Sequence, residues 1–308
     1  MKVLITGAGG YVGRQLGQQL AREHEVLGID LRADADAGFE LWRMDIRDPA
    51  IKALMIEQGI THVVHLAAVL QSGGDRAREY DIDVNGTRNV VEACLSAGVT
   101  HLTVTSSGAA YGYHADNPAW LSETDPLRGN VEVPYADHKR QVEEMLAGYR
   151  QSHPQLAQLV LRVGTVIGVT TRNLITQLFE KPRLLGIRGY ASPFVAIWDQ
   201  DLVAIIKRGV QTGKAGIYNV AGDGCLSIDE LGVLLGKPVL KLPAGLIRVG
   251  LTIGYRLGLT AYLPEQIKFI QFRPVLDNRR LKEEFGYVPV KSSREAFQAW
   301  ANGRSLGG

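Results

Sequence analysis

An α/β protein, built on a doubly wound parallel sheet with helices on both faces, is the fold class the sequence predicts, on three observations. Short β-branched runs alternate with longer stretches of helical periodicity through the first half of the chain, and such alternation marks βαβ units. The first run stops abruptly in glycine, at Gly7. After about Gly168 the alternation gives way to short pieces containing proline and glycine, which points to a smaller C-terminal lobe.

Taken in order, Lys2–Thr6 is too short for a helix and is predicted as a buried strand. Tyr11–Arg22 has apolar positions at helical spacing, and Glu25–Asp30 is the second strand. Leu41–Met44, Thr61–Leu66, Thr100–Thr105 and Leu159–Val163 are the next four, with helices over Pro49–Gln58, Arg78–Ala97 and Tyr135–Arg150. Phe194–Ile197 and Gly216–Val220 are expected to return to the sheet. The sheet domain is therefore placed at 1–167 with returns near 194–205 and 215–222, and the smaller lobe at 168–193 and 223–308. Leu242–Leu259 is the most apolar segment, but Arg248 and Arg256 interrupt it. A spanning helix would hold both charges in or near hydrocarbon, so a surface helix packing its apolar face on the lobe is expected, with no membrane role.

The 308 residues carry 34 Lys and Arg against 32 Asp and Glu, a net charge of +2 that is too balanced for a dedicated nucleic-acid binder. Cys94 and Cys225 stand in no metal-binding spacing, which excludes a disulfide framework and fits a reducing, cytoplasmic setting. Lys2 leads into a short apolar run that meets glycine at once, unlike a signal peptide.

Gly7, Gly10 and Gly13 lie between the first strand and the first helix. The first glycine permits the sharp turn, the second clears the way for a pyrophosphate, and the third lets helix and strand approach. The phosphates would face the unpaired N–H groups of the helix start. This is a Rossmann-type dinucleotide turn in its required context. Asp30, ending the second strand 17 residues after Gly13, suits the two ribose hydroxyls and would repel a 2′-phosphate, favouring NAD over NADP. Arg32 weakens that preference, since a guanidinium partners phosphate. Asp45 and Ile46 are placed to meet adenine, although Asp45 could equally cap the helix near Pro49.

Ser106-Ser107 leaves the fifth strand at its C-terminal end, where open α/β folds bind ligands. Tyr135 and Lys139 stand four apart on one helix face. A phenol is a poor base at neutral pH, and an ammonium beside it favours the phenolate. Tyr135 could then exchange a proton with a carbinol while Ser107 holds the same oxygen. His65, His101 and His138 are expected as packed or hydrogen-bonded side chains, with no metal cluster. Glu123 and Asp125 fall in a long polar loop, solvent-exposed unless that loop borders a site.

The chain resembles the extended short-chain dehydrogenase/reductases, in the NAD-dependent epimerase/dehydratase group that includes UDP-glucose 4-epimerases. The matching segments are Thr6–Gly13, Asp30, Asp45-Ile46, His65–Ala68, Val84–Thr87, Ser106-Ser107, Tyr111-Gly112, Tyr135–Lys139, Leu161–Gly164, Gly216–Gly222 and Leu276–Leu281. The resemblance implies a homodimeric enzyme for a small molecule such as a nucleotide-sugar, with Ser107, Tyr135 and Lys139 catalytic. It extends the cofactor contacts to Gly9, Tyr11, Val12, Leu31, Leu66, Ala67, Ala68, Thr105, Ser106 and Val163, with Asn85 supporting the fourth-strand region. Substrate contacts would fall at Val69, Ser107, Gly108, Thr165, Arg188 and Arg273.

Three departures stand out. Gly108-Ala109 replaces the Asp-Glu pair of the 4,6-dehydratases, Thr165-Val166 stands where sugar epimerases carry an asparagine, and Arg273 is offset from the usual diphosphate arginine. The resemblance still puts an epimerase first, and the missing sugar-contact residues speak for its rival. A dehydrogenase or reductase with net cofactor turnover comes second, and a silent nucleotide sensor third.

Overall fold

The computed structural model describes residues 1–32, 36–69, 75–258 and 264–305. The chain runs β1 (Lys2–Thr6), α1 (Tyr11–Leu20), β2 (Glu25–Asp30), β3 (Glu40–Arg43), α2 (Ala50–Glu57), β4 (His62–His65), α3 (Arg76–Tyr80), a π-helical turn (Asp81–Gly86) and α4 (Thr87–Ala97). Next come β5 (His101–Ser107), α5 (Pro134–Ser152), β6 (Ala157–Val163), β7 (Thr165–Ile167), α6 (Leu174–Glu180), β8 (Leu184–Ile187), β9 (Ala196–Trp198), α7 (Asp199–Thr212) and β10 (Gly216–Val220). The last elements are α8 (Ile228–Leu235), β11 (Val239–Leu242), α9 (Ala244–Arg256), α10 (Lys268–Gln271) and α11 (Ser293–Ser305).

Two compact units emerge. The first comprises Met1–Ser107, His138–Arg162 and Asp199–Tyr218, and the second Gly108–Asp137, Val163–Trp198 and Asn219–Gly308. The stretch 108–137, placed with the sheet domain on sequence alone, groups with the second unit. The sheet has seven strands in the order β10-β6-β5-β4-β1-β2-β3. β1 pairs in parallel with both β2 and β4, so the chain reverses its direction of winding between β1 and β4. That reversal opens a crevice beyond the C-terminal ends of these two strands, where doubly wound sheets take their ligands. Val3, Leu4 and Ile5 are fully buried, as expected of a strand covered on both faces.

The expected helix Arg78–Ala97 is real but not uniform. α3 and α4 are joined through the π-helical turn Asp81–Gly86, whose wider winding turns Asp83 and Val84 inward. A Cβ at Gly86 would meet the end of the Ile46 side chain at 2.7 Å, so Ile46 would have to shift to admit one.

In the second unit β7 pairs with β9, and β8 with β11. The expected return of Phe194–Ile197 to the large sheet is corrected. β6 ends at Val163, the following Gly164 amide bonds the Val220 carbonyl at 2.9 Å, and the chain beyond it forms a separate ladder with β9. Phe179, Phe194 and Phe297 make edge-to-face contacts at 5.1–6.3 Å in the core of this unit.

α9 covers most of the apolar segment, Leu259 lying outside the described residues. Its packing is shallow: none of its residues is fully buried, Ile247 and Leu251 are half-buried, and the helix lies against the turn Pro264–Ile267 of the same unit. No helix among the described residues is long and apolar enough to cross a membrane.

Candidate active site

The glycine turn belongs to the first unit. Gly7 adopts φ +72°, and a Cβ there would stand 2.8 Å from the Ala67 amide nitrogen. At Gly13 a Cβ would come within 2.3 Å of the Gly7 carbonyl oxygen. Gly10 caps α1 in an extended conformation and makes no side-chain cap hydrogen bond, so the positive end of the helix faces the turn. Gly9 donates its amide to Asp30 Oδ2 at 3.0 Å, and Arg32 its amide to Oδ1 at 3.1 Å. The Asp30 carboxylate is thereby fixed at the end of β2 against the turn. These features fit an adenine dinucleotide: a cradle with no room for side chains, a helix start with no side-chain cap and a carboxylate for the ribose. The Tyr11 hydroxyl donates to Asp199 at the start of α7, while Val12 is half-buried and Leu31 exposed.

Ile46 is buried beside Gly86. Asp45 accepts Arg47 Nη2 at 2.7 Å, and that guanidinium holds its carboxyl below the usual range. The capping alternative for Asp45 is excluded, because Asp48 bonds the Ala50 amide instead, at 2.8 Å. Leu66, Ala67, Ala68 and Val69 follow β4, with Leu66, Ala67 and Ala68 half-buried and the Leu66 amide on the Thr6 carbonyl at 3.1 Å. Asn85 is exposed and donates to Asp81 on its own helical stretch. The group that reaches the β4 loop is Asp83, which accepts the Val69 amide at 2.8 Å. Sequence reading missed it because an acid inside a helical pattern defaults to solvent.

At the end of β5, the Thr105 carbonyl accepts Lys139 Nζ at 2.9 Å, and Lys139 is 8% exposed. Ser106 donates its hydroxyl to Glu143, which also takes a two-pronged ion pair from Arg162 at 2.8–2.9 Å. Ser106, Glu143 and Arg162 are all buried. Together they tie β5, α5 and β6 at the residue before Ser107, which is half-buried.

In the second unit Tyr135 packs half-buried with Ala109, Tyr113, Val133 and Ala136, alongside Phe269 and Phe272. Gly108 opens a short 3-10 turn, where a Cβ would press on Leu276 at 3.0 Å. Val163 ends β6 and is buried, Thr165 begins β7 half-buried, and Arg188 is exposed. Arg273 lies over the Phe194 ring at 3.7 Å and the Phe269 ring at 4.2 Å. Burial pushes its guanidinium down to about 9, and its buried Nε has no hydrogen-bond partner. Glu123 is buried rather than solvent-exposed: it accepts the Asn219 amide at 2.7 Å. Asn219 in turn donates to the Leu121 and Asp277 carbonyls. Asp125 closes a turn on Ser122.

The histidines are packed and hydrogen-bonded, as expected, and no metal-holding group occurs among the described residues. His65 lies between Thr6 and Thr87, and burial pushes it down to about 3. His62 is pushed to about 4 by burial and by the neighbouring His101. Both folded values lie below the unfolded value near 6.5. The unfolded chain therefore takes up protons first as the pH falls. Stability should be full above about pH 6.5 and decline as the pH drops toward 3. Urea midpoints measured from pH 7 to pH 4 check this: the decline should be shallower in His65→Asn, and an identical slope would remove His65 as a cause.

The family model described as NAD dependent epimerase/dehydratase matches residues 3–184. A Mycobacterium tuberculosis protein of uncharacterised function is 25% identical over 317 residues, spanning 99% of this chain and 84% of its own. A UDP-glucose 4-epimerase of Neisseria meningitidis serogroup C is 27% identical over 212 residues, 63% of this chain and 60% of that protein. Among solved structures, the UDP-glucose 4-epimerase of Thermus thermophilus in complex with NAD superposes with a TM-score of 0.77 at 23% identity, covering 98% of each chain.

Proposed function

The chain belongs to the NAD dependent epimerase/dehydratase family, and we propose that it is a sugar epimerase, acting on a nucleotide-sugar through transient hydride transfer. The Lys139 ammonium carries the proposal. It is buried, held by the Thr105 carbonyl, and set one helical turn beyond Tyr135 on α5. A cation and a phenol on one helix face, one turn apart, are the pair of groups that the proposed proton exchange needs.

Bound NAD would accept the hydride from the substrate carbinol and later return it. The glycine turn would hold its pyrophosphate against the α1 amides, and Asp30 its adenosine ribose. Tyr135 would take the hydroxyl proton as that hydride leaves, and give it back when the keto sugar is reduced on its other face. Ser107 would hold the same oxygen throughout, and Lys139 would also reach the nicotinamide ribose. Arg273, with an unpartnered Nε between two aromatic rings, suits an anionic part of the substrate, and Arg188 is a second cation of the same unit. The reading carries with it a cytoplasmic homodimer.

A dehydrogenase with net cofactor turnover remains the second reading, favoured by Thr165 and Val166 in β7, where sugar epimerases have an asparagine. Releasing the nucleotide by denaturation, and following NADH formation on UDP-glucose, distinguishes the two. An epimerase retains NAD, forms UDP-galactose and accumulates no NADH. Stoichiometric NADH favours the dehydrogenase. No nucleotide binding at all would sink both readings.

A further inference from the structure

Asp83 and His138 form a buried pair that the proton chemistry above leaves unused, each 5% exposed. Asp83 Oδ2 lies 2.9 Å from His138 Nδ1, and Oδ1 takes the Val69 amide. A carboxylate offers only acceptors, so Nδ1 is the donor. Asp83 stands in the π-helical turn, Val69 in the loop after β4, and His138 in α5 immediately before Lys139. One carboxylate thus ties three elements together.

The linkage continues past Asp83. The Thr87 hydroxyl donates to the Asp83 carbonyl and meets His65 Nε2 at 2.9 Å, while His65 Nδ1 meets Thr6 Oγ1 at 2.7 Å. An unbroken polar chain therefore runs from β1, at the glycine turn, to α5. The Tyr80 ring stands edge-on to His138 at 5.6 Å, and His65 senses the charges of both Lys139 and Asp83.

We propose that His138 is a positioning residue for the cofactor crevice. Through Asp83 it seats the Ala67–Val69 loop against the glycine turn and sets the rotation of α5 that delivers Lys139 to the Thr105 carbonyl. The proposal rests on reading this crevice as the NAD site, but not on the proton chemistry of Tyr135. Without His138, the buried carboxylate loses one of its two donors. Such a group draws in water or shifts, and the Val69 amide it holds shifts with it.

The test uses NAD alone as the probe, titrated against the whole protein. His138→Phe keeps the ring beside Tyr80 and removes the donor, whereas His138→Asn keeps a donor at the place of Nδ1 and loses the ring. The expected result is a loss of NAD affinity of about tenfold in His138→Phe, the scale of one hydrogen bond to a charged group, with His138→Asn close to the parent. The reverse order would assign the effect to ring packing and overturn the proposal, as would equal affinity in all three proteins.

Exchange of the Val69 amide proton in the unsubstituted protein supplies a measurement that needs no variant: slow exchange is expected, and fast exchange overturns the proposal. If the unsubstituted protein bound no NAD, the reading of the crevice would fall first and the proposal with it. Unimpaired turnover in Tyr135→Phe would instead end the proton mechanism and leave these results standing.

Discussion

Tyr135→Phe should lower turnover by at least about a hundredfold, the usual scale for a lost proton-transfer group, with NAD affinity nearly unchanged. The substitution is unusually clean here. Tyr135 is half-buried among Ala109, Tyr113, Val133 and Ala136, with Phe269 and Phe272 packed alongside, and phenylalanine fills the same ring volume. What disappears is the hydroxyl alone, and the ring packing is kept. Turnover is followed as UDP-galactose formed from UDP-glucose, and NAD affinity by direct titration. A variant of near-normal rate would take Tyr135 out of the mechanism.

The second large effect is expected in stability. Arg162 and Glu143 form an ion pair with 5% and 4% of their side chains exposed. Removing one partner strands the other charge in the interior, which typically costs roughly 3–5 kcal/mol. Arg162→Met should therefore lower the urea midpoint sharply, and Glu143→Leu comparably. The double substitution should recover part of the loss, since two apolar side chains leave neither charge unpaired. A double variant as unstable as the sum of the single ones would mean that the pair acts independently of its mutual attraction. Ser106 loses its carboxylate partner in Glu143→Leu, so the end of β5 is disturbed only in that variant and in the double one.

The parts of the site that depend on neighbours in the chain were legible in the sequence. The glycine turn, Asp30 and the Tyr135–Lys139 spacing are each set within a strand, a turn or one helical repeat, and the structure keeps the predicted order of elements around them. What escaped were pairings across long sequence separations. Nothing local distinguishes Asp83 or Glu143 from a solvated helix acid, yet partners 55 and 19 residues away bury them. Glu123 was hidden in the same way, its partner being a backbone amide 96 residues on. Phe194–Ile197 has the composition of a sheet strand, but which ladder it joins was decided by the break at Gly164. The apolar character of Leu242–Leu259 was plain, whereas its shallow burial was not, because hydropathy reports what a segment prefers and not what the fold offers it.

α9 has a thermodynamic consequence of its own. Gly245, Gly250 and Gly254 sit within its thirteen residues, and a helical glycine costs about 0.5–1 kcal/mol relative to alanine. A short helix gains most of its stability from tertiary burial, and this one buries no side chain completely. Its backbone hydrogen bonds therefore open at far lower free energy than those of the central sheet. Cooperative melting of the protein should be preceded by local fraying here, with the polypeptide around Arg248 becoming accessible to trypsin while the nucleotide cradle stays intact.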